Sequence, residues 1–132
     1  MEATGGKVRV PVILWMVLCL LAVAQATETL AVYYNPPYTR SACNGNSYTG
    51  PWVTGVSAAL WANNGACGKR MRVRCVKGAN KAPHPCKQGS VDVTIVDFCR
   101  EPCEGTINLT KDAFSRIAST DAGKVVVDYS FI

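Results

Sequence analysis

From Thr29 to Val91 the chain has no aspartate and no glutamate. The same stretch holds Arg40, Lys69, Arg70, Arg72, Arg74, Lys77, Lys81 and Lys87, and every acid beyond Glu28 lies from Asp92 onward. Such one-sided charge points to a polyanionic partner or surface, the plain alternative being a solvated face that keeps the protein soluble. Histidine is nearly missing too: His84, between Pro83 and Pro85, is the only one, and no Cys-x-x-Cys occurs. A metal centre is therefore not expected, nor any cofactor, and His84 reads as a surface residue. Internal repeats and disordered tails are absent. So is any apolar run long enough for a membrane span, which needs ~20 residues.

The longest such run, Val12 to Val23, follows Lys7 and Arg9 and precedes Ala24-Gln25-Ala26. A short basic region, an apolar stretch and a small-x-small site make a secretory signal peptide over residues 1–26, with cleavage after Ala26. Cleavage makes sense of the cysteines. Of seven, Cys19 leaves with the signal, and Cys43, Cys67, Cys75, Cys86, Cys99 and Cys103 remain. An even set in a short exported chain reads as a disulfide framework whose pairing the count alone does not give. Residues 27–132 form one small domain with 12 basic and 8 acidic side chains. For an extracellular protein of this charge, acidic polysaccharide is the expected polyanion and nucleic acid is not.

The chain is organised around Val91 to Cys103. Val91, Val93 and Ile95 alternate with Asp92, Thr94 and Val96, and β-branched residues dominate, so this is a strand. Pro102 stops it. Asp97 sits where the apolar run ends, beside the Cys99-Arg-Glu-Pro-Cys103 loop, either as a site carboxylate or as a turn cap. Leu30 to Tyr34 predicts a first strand, ended by Pro36-Pro37. Ser41 to Pro51 is loop, with Tyr38, Tyr48 and Trp52 in or beside it, placed to stack on sugars or to cover a small core. Val56 to Ala62 predicts a short helix burying Val56, Ala59 and Leu60, closed by Asn63-Asn64-Gly65. Met71 to Val76 predicts a strand with Met71, Val73 and Cys75 inward and Arg70, Arg72 and Arg74 outward. That row suits carboxylates or phosphates. Thr106 to Thr110 leads into a helix capped by Thr110, with Asp112 in its first turn and Phe114 and Ile117 buried. Asp121-Ala-Gly123 is a turn, and Lys124 to Ile132 a closing strand. Asn108-Leu109-Thr110 is an N-glycosylation sequon. Strands against two short helices indicate a small, mainly β barrel.

Four segments then resemble one family in order: Tyr33 to Cys43, Ala66 to Cys75, Val91 to Cys103, and Asn108 to Phe114 running on to Asp121-Ala-Gly123. They are similar to the plant natriuretic peptides, including the citrus blight-associated type. That group has a family-45-endoglucanase-like domain related to the first domain of expansins and to barwin. The resemblance spans residues 27–132 and implies a six-stranded double-psi β-barrel. It also implies pairing of Cys43 with Cys67, Cys75 with Cys86, and Cys99 with Cys103.

The same resemblance bears on activity. Inverting glycosidases of the related family need an acid and a base on either side of the bond. Asp97 matches an aspartate retained in expansins, but the second expansin-type aspartate falls at Asn108, and no acid lies near Tyr33-Tyr34, where the family-45 enzymes keep another. A second, cellulose-binding domain of the expansin type is not expected. The resemblance therefore implies a non-enzymatic, monomeric, apoplastic signal acting on water and solute balance through cGMP-linked responses. Its activity would lie in roughly Tyr34 to Arg70, and its partner would be a plasma-membrane receptor or an acidic wall polysaccharide. Tyr34, Asp97, Arg70, Arg72 and Arg74 are the candidate contacts. A wall-binding or wall-loosening module is the first rival, and a weak glycosidase or barwin-like defence protein the second.

Overall fold

The structure is a computed structural model that describes residues 26–132. Apart from Ala26, the expected signal peptide, with Cys19, lies outside the described residues. Six strands close into a barrel: β1 (Thr27–Tyr34), β2 (Val53–Val56), β3 (Arg70–Gly78), β4 (Val91–Phe98), β5 (Ile107–Thr110) and β6 (Lys124–Phe131). Their order around the ring is β1-β5-β2-β4-β3-β6. β1 with β5 and β2 with β4 run parallel, and the remaining pairs run antiparallel. Closure leaves no free sheet edge.

The long strands follow from their side-chain period. In β3, Met71, Val73 and Cys75 are buried and Arg70, Arg72 and Arg74 exposed. In β4, Val91, Val93 and Ile95 point into the core. β6 buries Val125, Val127 and Tyr129. β1 begins three residues before its expected start because Thr27 to Thr29 pair with Tyr129 to Val127 of β6.

Two expectations fail. Val56 is not on a helix: it ends β2, pairing with Phe98 of β4 and Ile107 of β5. The helix there, α1, is only Ala58–Trp61, and it buries Trp61 while Ala59 is exposed. Pairing on both edges outweighs the helical spacing of Val56, Ala59 and Leu60. The backbone leaves α1 through three successive left-handed residues, Ala62, Asn63 and Asn64. Likewise Ile107 to Thr110, expected only to lead into a helix, is a strand, β5, at the middle of the β1-β5-β2 sheet.

Thr110 ends β5 and caps the second helix, α2 (Lys111–Ile117). Its Oγ1 accepts from the Ala113 amide at 3.1 Å and donates to the Pro51 carbonyl at 2.6 Å. α2 seats Phe114 and Ile117 fully buried on the barrel. A 3-10 turn, Thr120–Ala122, then reverses the chain through Gly123 at φ 71°. Disulfides join Cys43–Cys67, Cys75–Cys86 and Cys99–Cys103. Among the described residues no helix is long and apolar enough to cross a membrane.

Candidate functional site

On the outer face of the β1-β5-β2-β4 sheet Gly55 has no side chain, between neighbours that have one, and that gap defines the candidate groove. Gly55 is its floor. In the ladders Gly55 stands opposite Asn108 on one side and Asp97 on the other. Side chains directly opposite across a sheet share a face, so Asp97 and Asn108 flank Gly55, their backbones two strand spacings apart, on the order of 10 Å. Val32 is opposite Asn108, and Tyr34, two residues on, shares its face. A β-bulge between Thr54 and Gly55 aligns Asp97 rather than Val96 with Gly55, and bulges re-aim side chains in this way. A Cβ added at Gly55 would touch Asp97 at 3.5–3.7 Å, ordinary contact.

Asp97 has two tasks. Its Oδ1 accepts from the Phe98 amide and from the Ala42 amide, both at 2.9 Å. The first bond is the expected turn cap. The second ties the Ser41–Gly45 turn, next to the Cys43–Cys67 bridge, to the end of β4. Among the described residues, Oδ2 has no protein hydrogen-bond partner. Tyr34 packs edge-on against Tyr38 with ring centroids 5.4 Å apart. Its phenol is pushed up to about 12, chiefly by burial, then by the Asp97 carboxylate and Tyr38. It therefore stays protonated at any physiological pH and is available to a ligand as a hydrogen-bond donor. Tyr38 in turn donates to Asp112 Oδ1 of α2 at 2.7 Å, and its phenol is raised as well, first by burial and then by that bond.

The groove thus offers one carboxylate, one carboxamide and one neutral phenol. These can hydrogen-bond a polyol. They present one carboxylate and not the pair that inverting hydrolysis uses, because an amide neither gives nor takes a proton at neutral pH. The sequon lies here too. Asn108 is partly exposed, but Leu109 and Thr110 are fully buried, so a glycan joined to Asn108 would rise from the groove.

The arginine row faces out; Arg70 is exposed and in no ion pair among the described residues, but the other two are engaged. Arg72 forms a two-pronged pair with Asp92 at 2.8 and 3.0 Å, and Arg74 pairs with Asp128. Arg72 holds the Asp92 carboxyl below its usual range. Both acids lie opposite their arginines in neighbouring strands. Only a knowledge of register reveals them. His84 is exposed, and among the described residues no three His, Cys, Asp or Glu side chains cluster as metal ligands.

Comparison with known proteins places this geometry. The family model described as "Lytic transglycolase" matches residues 53–129, more than half of the chain. An EG45-like domain containing protein 2 from Arabidopsis thaliana is 50% identical over 111 residues, covering 84% of this chain and 85% of its own length. An EG45-like domain containing protein from Citrus jambhiri is 44% identical over 128 residues, covering 96% of this chain and 98% of its own. Among solved structures, a Clavibacter michiganensis expansin superposes with a TM-score of 0.63 at 21% identity, over 82% of this chain but only half of its own. The Streptomyces papain inhibitor superposes with a TM-score of 0.56 at 22% identity, over 83% and 96%. The barrel is of the double-psi class that these neighbours share. The chain belongs to the EG45-like family of expansin-like domains.

Proposed function

We propose that this is a secreted, non-hydrolytic protein of the natriuretic type, signalling from the apoplast to adjust water and solute balance through cGMP-linked responses. A plasma-membrane receptor is its partner. The observation that carries the non-hydrolytic part is the Asp97–Gly55–Asn108 arrangement, with a carboxamide where a second carboxylate would stand. Export is supported by the basic-apolar-small pattern of residues 1–26 and by three disulfides. The signalling role is supported by the resemblance of the segments Tyr33–Cys43 and Val91–Cys103 to that group. Protoplast swelling tests it: oxidised protein should drive swelling and a cGMP rise, whereas reduced and alkylated protein should not. Equal responses to both, or to neither, would reject the reading.

A second reading is favoured by one finding. A point variant of the Clavibacter expansin has been solved in complex with cellohexaose. The groove of Tyr34, Gly55, Asp97 and Asn108 would then hold a neutral β-glucan without cutting it. Retention on cellulose that survives high salt supports this. Cleavage of soluble β-glucan by the unmodified protein would overturn both readings, and Asn108→Asp is the matched control for a restored acid.

A further inference from the structure

Away from that groove, Trp52 stands between two cavities. The first, of about 400 Å³, is lined by Trp52, Arg72, Ser90, Val91, Asp92 and Arg116. The second, of about 350 Å³, includes Cys43, Thr49, Trp52, Cys67 and Thr94. Trp52 is 41% exposed, although it is one of the largest apolar side chains in the protein. The Arg116 guanidinium lies over its ring, 5.0 Å from the centroid. Arg116 lines only the first cavity, so the indole borders one cavity that holds the guanidinium and a second that lacks it, on the bare side of the ring.

The charges decide what fits. Arg72 is matched by Asp92 within the first cavity. Among the described residues Arg116 has no carboxylate within ion-pair distance. The cavity therefore holds one cation in excess, alongside the hydroxyl of Ser90 and the remaining donors of the Arg72 fork. One excess cation accommodates one carboxylate per unit. It does not suit a densely charged phosphate or sulfate chain, which Asp92 would repel. The bare side of the indole is a platform of the kind on which the C–H face of a sugar ring stacks. A flexible acidic peptide offers no such face.

We propose that the Trp52–Arg116 cleft is a binding site for an acidic polysaccharide built of uronate units. One ring stacks on Trp52 on the side of the Cys43–Cys67 bridge. The carboxylate of the adjoining unit is held by Arg116, with Arg72 assisting. The local surplus of positive charge along the acid-free Thr29–Val91 span brings such a polymer in. The site is separate from the Asp97 groove and stands whether the protein signals to a receptor or holds neutral glucan.

The test is titration of the purified, oxidised protein with hexagalacturonic acid, followed by calorimetry and tryptophan fluorescence. The comparison ligands are its methyl ester, cellohexaose and hexaglutamate. Hexagalacturonic acid should bind, and its methyl ester should bind about tenfold more weakly, since the charge-assisted contact is gone. Arg116→Gln and Trp52→Ala should each weaken binding by about fivefold or more. Arg74→Gln removes an equal charge from β3, outside the cleft, and should stay within about twofold. Circular dichroism confirms that each variant is folded, and Trp52→Leu, which keeps apolar bulk but has no ring to stack on, replaces Trp52→Ala with the same expected loss should that variant unfold. Equal losses in Arg116→Gln and Arg74→Gln would mean diffuse attraction and overturn the site. So would ester or hexaglutamate binding as tight as the acid, or no binding at all.

Discussion

Thr110 is the joint between the barrel and α2, and replacing it with valine isolates its hydroxyl. Valine keeps the β-branched shape and the strand preference, so β5 should still form. The oxygen, however, caps the Ala113 amide and also bonds Pro51 O, and the residue is 0% exposed. Losing an N-cap costs about 1 kcal/mol, and leaving a buried polar group unpaired costs roughly 1–3 kcal/mol more. The expected loss is therefore about 2–4 kcal/mol, which lowers Tm by roughly 10–25 °C in a domain of this size. Thr110→Ser keeps the oxygen and gives up one buried methyl, so about 1 kcal/mol and roughly 4–8 °C are expected. Differential scanning calorimetry of the two oxidised variants at neutral pH decides the matter. Because α2 also carries Asp112 and Arg116 to their tyrosine and tryptophan partners, Thr110→Val should additionally alter Trp52 emission before global melting. A valine variant as stable as the serine variant, or more so, would refute the account of Thr110 as cap and anchor.

Three other outcomes follow from geometry. Gly55→Ala meets only ordinary contacts, so its stability should stay within about 1 kcal/mol of wild type, while any ligand held between Asp97 and Asn108 should weaken; a large drop in Tm would mean the floor is more crowded than described. The fold favours the protonated Tyr34 phenol, raised to about 12 against ~10 in an unfolded chain. That contribution is fully present below pH ~10 and is lost as pH climbs toward 12, so Tyr34→Phe should flatten the alkaline fall in the urea midpoint. Parallel curves for the two proteins would contradict it. Removing Cys43–Cys67, which spans 24 residues, should cost more than removing Cys99–Cys103, which spans 4. Chain-entropy estimates are about 3.5 and 2 kcal/mol, and chemical denaturation of the paired serine variants that ranks them in the reverse order would reject this.

Of the four long strands, β3, β4 and β6 were legible because alternation persists in them, and β1 because its short run of strand-forming residues ends at Pro36-Pro37. β3 repeats in and out from Arg70 through Cys75, and β4 from Val91 to Ile95. β2 and β5 were not, being four residues each. β2 is buried throughout, and β5 at three of its four positions, so period two has no polar half to show itself. What makes them strands is pairing on both edges with residues remote in the chain. Asp97 stood out as a carboxylate ending an apolar run, and Thr110 as a cap. The bulge that turns Asp97 toward Gly55, the acids that occupy Arg72 and Arg74, and the stacking of Arg116 on Trp52 all depend on register and helix docking. No local pattern encodes those.

The ring order has a bearing on when this molecule can fold. β1 emerges first, yet both of its partners, β5 and β6, are made near the end. An amino-terminal fragment on the ribosome therefore has nowhere to dock its leading strand, and long-range closure of this kind is slow. A chain that stays open until its synthesis is complete is thus written into the strand order itself: the circle shuts only once its final link has arrived.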